Sequence, residues 1–467
     1  MIATTLLWIA DKVKGTLKGE DQNIKGVSTD TRTLQPGDLY IALCGENFNG
    51  HRFISSAEQA GASAVIASEP VKTSLPVISV SDTKQALGLL GAAVKQRVAP
   101  ATIAITGSSG KTTVKEMTSA ILSCRGKVLA TAGNFNNDIG VPLTLLRLEA
   151  QHDFAVIELG ANHAGEIGYT TQLVKPDVAT IVNAAASHLE GFGSTSGVAE
   201  AKSEIFEGLS DTGVAIINGD SEFASMWQSK VGDKKVLTFS PEQKTTADFN
   251  GADIQMNEDG CAQFTLQTPA GNVAIKLAIP GVHNVGNALV AAALSLQLGA
   301  TLDDVAAGLN AMTQVKGRLN SKLLTAKLRL LDDTYNANVA SVMAAMDTLA
   351  SFTGTRVFIL GDMAELGENA RQYHEQVGQY ARTKGIDYLF TMGVLSQQAS
   401  NVYGDKGAHF TDMPALIDTL DAICAAGKSR VSVLVKGSRS ARMERVVDAI
   451  EGSRLGKNES RRERVAC

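Results

Sequence analysis

The sequence predicts an α/β protein of several domains, with a glycine-rich loop near the start of its second domain. Three observations carry this expectation. Short apolar, β-rich runs recur, and most are followed by Gly, Asn or Asp and then by a helix-period segment, the alternation that builds a mostly parallel sheet covered on both faces. The chain has 467 residues, which at roughly 150 residues per domain corresponds to about three cores. The stretch Thr106-Gly-Ser-Ser-Gly-Lys-Thr-Thr113 directly follows one such run and precedes a helical pattern.

Taken in order, residues 1–10 are apolar but lack a basic n-region and a cleavage site, so they read as a first helix rather than a signal peptide. A joint is expected near Ser81 to Lys84, before a helix that leads to a strand at 102–105. Further strands are expected at 154–157, 179–182 and 214–217. Between 253 and 280 polar and apolar residues alternate, with turn signals at Asp259-Gly260 and 269–272, which predicts antiparallel hairpins. The longest apolar stretch, at 288–298, is too short for the ~20 residues that span a bilayer. After a helix at 302–312 and a second joint at Lys316-Gly317, a new α/β unit opens with strands at 328–331, 357–360, 388–392 and 431–435. The domains expected are therefore 1–83, 84–316 and 317–467, the last with a disordered basic tail after about 452.

Composition narrows the function classes. With 43 Lys plus Arg against 48 Asp plus Glu and 44% hydrophobic residues, the chain is globular and acidic, a poor general binder of nucleic acid or anionic membrane. Its five cysteines are odd in number, widely spread and never in CxxC, which argues against a disulfide framework or a zinc site. A reducing cytoplasm is expected.

The loop at 106–113 carries the sharpest chemistry. Its glycines let backbone N–H groups wrap a polyphosphate, and the following helix adds its positive end. Lys111 can reach β and γ phosphates and Thr112 can ligate Mg²⁺. The spacing departs from the general P-loop, because Ile105 takes the place of the first Gly and Gly107 closes the loop. The helix face after it is read as Val114, Met117, Ile121 and Cys124. Glu158 ends the next strand at the same sheet edge, where a metal or phosphate role is reasonable. His188 follows a third strand; on chemistry alone it is more often a structural hydrogen bonder than a ligand of Mg²⁺.

Together these residues resemble the ATP-dependent Mur ligases of peptidoglycan synthesis. The resemblance is carried by Val27 to Arg32, Asn49-Gly-His51, Thr106 to Thr113, Asn134 to Pro142, Glu158-Leu-Gly160, His188 to Gly191, Ala201 to Phe206, His283 to Asn287, Gly317-Arg318, Asp332 to Asn338, Gly361 to Gly367 and Val435 to Arg439. It implies three domains, with a central P-loop parallel-sheet domain and a C-terminal Rossmann-like domain. It also implies ATP and Mg²⁺, and a reaction that joins D-alanyl-D-alanine to UDP-N-acetylmuramoyl-tripeptide, since Gly361 to Gly367 with Lys436 to Arg439 looks like the dipeptide-adding branch. A sister ligase adding diaminopimelate would show an Asp-Asn-Pro-Arg-like run, which is absent. A non-ligating nucleotide-binding module is the alternative from another class.

The resemblance also implies roles. Lys111, Glu158, His188 and Lys202 match catalytic positions, and Thr112, Glu158, His188 and Lys202 match metal ligands, Lys202 as a carbamylated lysine; from composition alone Lys202 is a solvated helix lysine. Gly107, Ser108, Ser109, Gly110, Lys111, Thr112, Thr113, Asn284, Asn287, Arg318, Asp333 and Asn336 would bind ATP, although an Asn at 284 is equally an ordinary helix cap. Thr29, Asp30, Arg32, Asn49 and His51 would hold the UDP-substrate, although Asp30 and Arg32 alone suit a polar surface turn. Asp362, Glu365, Lys436, Ser438 and Arg439 would face the dipeptide, with His374 a further candidate. The protein is expected to work as a monomer, with no nucleic acid partner and no membrane insertion.

Overall fold

The computed structural model describes residues 1–45, 48–427 and 429–455. The basic tail expected after 452 lies, from residue 456 on, outside the described residues, as does Cys467. Three main sheets follow one another along the chain. The first orders Thr16–Lys18, Val77–Ser79, Ala64–Ala67, Asp38–Ile41 and Gly26–Ser28; its first pair is antiparallel and the rest are parallel.

The second sheet has nine strands, in the order Val128–Ala130, Phe154–Glu158, Ala101–Thr106, Val178–Ile181, Val214–Asn218, Lys235–Ser240, Phe249–Met256, Cys261–Thr268 and Gly271–Pro280. Its first seven strands are parallel, and its last two pairings are antiparallel. The hairpins read from the alternation at 253–280 thus extend the parallel sheet instead of forming a separate layer. The run 154–157 is apolar throughout because helices cover both faces of the sheet.

The third sheet orders Asn320–Thr325, Leu328–Asp333, Val431–Lys436, Thr355–Gly361, Tyr388–Met392 and Gly407–His409, parallel except for its first pair. This is the Rossmann-like arrangement. Among the described residues no helix is long and apolar enough to cross a membrane.

Two helices position the site. The loop helix Lys111–Leu122 buries Val114, Met117 and Ile121, but Cys124 lies beyond its end and is exposed. Its apolar stripe therefore stops one turn earlier than the pattern suggests. The helix His283–Gln297 packs alongside, buried through most of its length. It begins before Asn284, so Asn284 is not its cap; its Nδ2 instead donates to the carbonyl of Pro280 at 2.7 Å.

Candidate active site

The loop 106–113 leaves the C-terminal end of the strand Ala101–Thr106 and enters the helix that starts at Lys111. Gly110 has a φ of 80°, and a Cβ there would stand 2.8 Å from Asn287 Oδ1, so both backbone conformation and space call for glycine. The loop is held from the next strand: Asn183 Oδ1 accepts the N–H of Ser109 at 2.9 Å, and Ser187 Oγ donates to Ser108 Oγ at 2.8 Å. Lys111 Nζ folds back to donate to the Gly107 carbonyl at 2.6 Å.

Glu158 is buried, and two donors fix its carboxylate. Thr112 Oγ1 donates to Oε2 at 3.0 Å and Asn136 Nδ2 donates to Oε1 at 2.8 Å. Arg318, arriving from the third sheet's side, donates from Nη2 to Thr112 Oγ1 at 3.0 Å. Its guanidinium lies 4.1 Å from the ring centroid of Tyr335, a cation–π contact that holds the side chain flat. Lys202 is 2% exposed. Burial holds its amine well below the usual lysine range, and Lys111 is the charged neighbour that adds to the effect. Lys111 itself is lowered by desolvation, partly offset by Glu158.

His188 does not hydrogen-bond to Glu158, Thr112 or Lys202 among the described residues. Its Nδ1 meets the carboxylate of Glu365, across from the central to the third sheet's side. Both residues sit in left-handed backbone, with φ of 52° and 62°, the kind of strain that persists where surroundings enforce it. The imidazole beside it lowers the Glu365 carboxyl pKa. Glu365, read as facing the dipeptide, is thus placed at the seam beside His188.

A cleft of about 560 Å³ opens beside the loop, lined by Ser109, Gly110, Thr113, Asn284, Asn287, Arg318, Asp333 and Lys436 among others. Asn287 Nδ2 donates to Asn284 Oδ1 at 2.8 Å, which orients both amides. Lys436, read as a dipeptide contact, belongs to this side: Nζ donates to Asp333 Oδ2 at 2.5 Å and to the carbonyl of Asn336 at 2.9 Å. Burial lowers its pKa, and Asp333 opposes that. The Asn336 side chain is turned to the N–H of Ala337.

The remaining expected contacts are more dispersed. Asp362 Oδ1 accepts the N–H groups of Leu395 and Ser396, bracing that turn. Ser438 is buried, whereas Arg439 is exposed and paired with Glu444 at 3.1 Å. His374 is fully buried, accepting the N–H of Met363 at Nε2 and donating from Nδ1 to the Ala370 carbonyl, which is a structural role.

In the first unit Arg32 grips the Asp30 carboxylate with two nitrogens and lowers its pKa to about 2. Thr29 precedes this pair, half-buried. Asn49 Oδ1 accepts the N–H of His51 and its Nδ2 donates to Glu69. Cys44, His51 and Glu69 bring three ligand-type atoms within 4.8 Å of one another. The N–H of Ser68 donates to His51 Nε2 at 3.0 Å, however, which leaves the ring proton on Nδ1, the nitrogen facing the other two. The trio is a hydrogen-bonded network.

Residues 105–295 match the Mur ligase middle domain, 317–439 the Mur ligase glutamate ligase domain, and 23–102 the Mur ligase family catalytic domain. The chain belongs to the Mur ligase family. It is 50% identical over 451 residues to the UDP-N-acetylmuramoyl-tripeptide--D-alanyl-D-alanine ligase of Escherichia coli (strain K12), covering 97% of this chain and 99% of that one. The enzyme of the same name from Bacillus subtilis (strain 168) is 36% identical over 465 residues, with 97% and 99% covered. Crystal structure I of MurF from Acinetobacter baumannii superposes with a TM-score of 0.91 at 35% identity, over 97% of this chain and 99% of that one. MurF of Thermotoga maritima in complex with ADP gives 0.82 at 27% identity, over 92% and 97%.

Within this Mur ligase, reading the sequence missed Asn136, Asn183, Tyr335 and Asn338 as site residues. A signal existed for Asn338, an Asn directly before an apolar helix with Ser three residues on, which is a capping pattern. The local signal for Asn183 is its place just past the strand Val178–Ile181, in a polar cluster at the sheet edge where the phosphate loop opens.

Proposed function

We propose that this Mur ligase uses ATP to join D-alanyl-D-alanine to UDP-N-acetylmuramoyl-tripeptide through an acyl phosphate. The observation that supports it most is the line Arg318–Thr112–Glu158, in which a third-unit arginine reaches the hydroxyl beside the phosphate loop. A simple binding module needs only the loop. An arginine brought in from another unit suits stabilisation of a phosphoryl group in transit. The choice of substrates rests on similarity to the dipeptide-adding relatives.

In the first step a carboxylate oxygen of the tripeptide attacks the γ-phosphorus of ATP. The bond from that phosphorus to the β–γ bridging oxygen breaks, and ADP forms. The dipeptide amine then attacks the acyl carbon, phosphate leaves with the C–O bond, and the amine loses a proton to solvent. Lys111 turns from the Gly107 carbonyl to the β and γ oxygens, while loop N–H groups of residues 107–113 hold the chain of phosphates. Asn284 and Asn287 orient the adenine. Arg318 and Asp333, the latter braced by Lys436, face ATP from the third unit together with Asn336.

Thr112, Glu158, His188 and Lys202 offer a hydroxyl, a carboxylate, an imidazole and a buried amine for Mg²⁺. The donor set fits if Lys202 is carbamylated: burial disfavours the charged form of its amine, and CO₂ converts a neutral amine to an oxygen-bearing anion. Mg²⁺ would there neutralise charge on the phosphoryl oxygens. Thr29, Asp30, Arg32, Asn49 and His51 lie on the unit assigned to the UDP-substrate, and Asp362, Glu365, Ser438 and Arg439 on the dipeptide unit. Both walls of the cleft come from one chain, so a monomer suffices, working in the cytoplasm where ATP and UDP-sugars are available.

ADP release measured with UDP-N-acetylmuramoyl-tripeptide should depend on D-alanyl-D-alanine. A site that pairs a dipeptide's amide and carboxylate rejects a single amino acid by about 10⁴-fold. Faster turnover of the UDP-linked dipeptide with diaminopimelate would overturn the choice of amine.

A further inference from the structure

Asn338 is a residue that the reaction scheme leaves unused. It stands between the ATP-facing loop and the helix Val339–Ala350, and it caps that helix: Oδ1 accepts the N–H of Ser341 at 2.9 Å, and its own N–H donates to Ser341 Oγ at 3.1 Å. With Oδ1 committed to its own helix, Nδ2 is directed away from it. That nitrogen donates to the carbonyl oxygen of Ser108 in the phosphate loop at 3.1 Å. The two partners agree on which end of the amide is which, because an N–H requires the oxygen and a carbonyl requires the nitrogen.

Ser108 is otherwise fully engaged with the central unit. Its N–H donates to the Asn183 carbonyl and its Oγ accepts the N–H of Ala185, both at 3.0 Å. Asn338 supplies the donor from the third unit. The helix that Asn338 starts also lines the nucleotide cleft, through Ser341, Ala344 and Asp347. One side chain therefore ties the phosphate loop to the opposite wall of the same cleft.

We propose that Asn338 is a positioning residue for the nucleotide, seating the third unit on the phosphate loop through the Ser108 carbonyl while its other end starts the helix that walls the cleft. This rests on the ligase reading only in assigning ATP to the cleft. The two ends of the amide can be separated by mutation. Serine and aspartate cap helices about as well as asparagine, but serine is too short to reach Ser108, and aspartate presents an oxygen to its carbonyl.

The test compares Asn338→Ser, Asn338→Asp and Asn338→Ala by thermal unfolding, by ADP titration calorimetry, and by kcat and KM for ATP. In Asn338→Ser the unfolding temperature should stay within about 2 °C of wild type, while ADP affinity and kcat/KM for ATP fall about 5- to 10-fold, the equivalent of one net hydrogen bond. Asn338→Asp should bind ADP more weakly still at unchanged stability, and Asn338→Ala should lose both stability and affinity. Wild-type affinity in Asn338→Ser or Asn338→Asp overturns the proposal, as does a loss of affinity that simply tracks unfolding temperature across the three. A wild-type protein that binds ADP without coupling it to the dipeptide overturns the ligase reading instead, and the ADP series still decides the role of Asn338.

Discussion

Replacing Gly308 by alanine tests how the phosphate-loop helix is held from behind. Gly308 lies in the helix Leu302–Ala311, which crosses the loop helix Lys111–Leu122. A Cβ at 308 would sit 2.5 Å from Ile121 Cα and 2.6 Å from Ile121 N. Both are backbone atoms, so no side-chain rotation relieves the clash, and the helices must part by about 1 Å to restore ordinary contact. Two effects compete. Alanine is better than glycine in a helix interior by about 1 kcal/mol, whereas overpacking a well-filled contact costs about 1–3 kcal/mol. Because the contact is backbone to backbone, the upper part of that range applies and the net effect is about 1–2 kcal/mol of destabilisation. At roughly 2–4 °C per kcal/mol for a domain of this size, the unfolding temperature should fall by about 2–8 °C. The displaced helix begins at Lys111, so ADP affinity should fall with it. Scanning calorimetry with and without ADP reads both effects. A variant that unfolds later than wild type would refute the packing account, since the propensity gain would then have prevailed.

Lys111→Ala should cut ADP formation by about 10²–10³-fold with little change in unfolding temperature, as it removes one preorganised charge; more than about a third of wild-type turnover would remove the loop lysine from the mechanism. Lys202→Ala should be nearly inactive and partly restored by acetate, and full unrescued activity would make Lys202 a bystander. Because burial depresses the Lys202 pKa, the unfolded chain binds more protons than the fold between that pKa and the ordinary lysine value of 10.5. The burial penalty therefore grows as pH falls from 10.5 and vanishes above it. In buffer free of CO₂ and metal, Lys202→Met should unfold later than wild type at pH 7, and the gap should close toward pH 10.5. His374, also depressed by burial from 6.5, should make the third unit lose stability as pH drops below about 6.5 through its folded pKa. Unfolding temperatures of His374→Asn across pH 5–8 should lack that slope, and an unchanged slope would assign it to another group.

Much of this architecture was legible from residue order. Strands such as Phe154–Glu158 and Val431–Lys436 are buried on both faces, so they appear as predominantly apolar runs bounded by turn residues. The phosphate loop is equally local, since its glycines, lysine and threonine are adjacent in the chain and act through backbone they shape themselves. The strands of the first unit were less legible. Val77–Ser79 and Gly26–Ser28 have only three residues each, too few for a period to show.

What the sequence by itself determined is the set of groups that meet phosphate, and the alternation that brings strand ends to one edge of a sheet. Tertiary structure alone decided which polar groups became partners and which lost their solvent. Arg318 meets Thr112 across 206 positions, Asn338 meets Ser108 across 230, and Lys436 meets Asp333 across 103. Lys202 reads as a surface lysine in a polar helix, yet packing leaves it 2% exposed. The reason is physical: propensity and turn chemistry act over a few residues, whereas burial and hydrogen-bond pairing depend on what other segments of the chain place against a side chain.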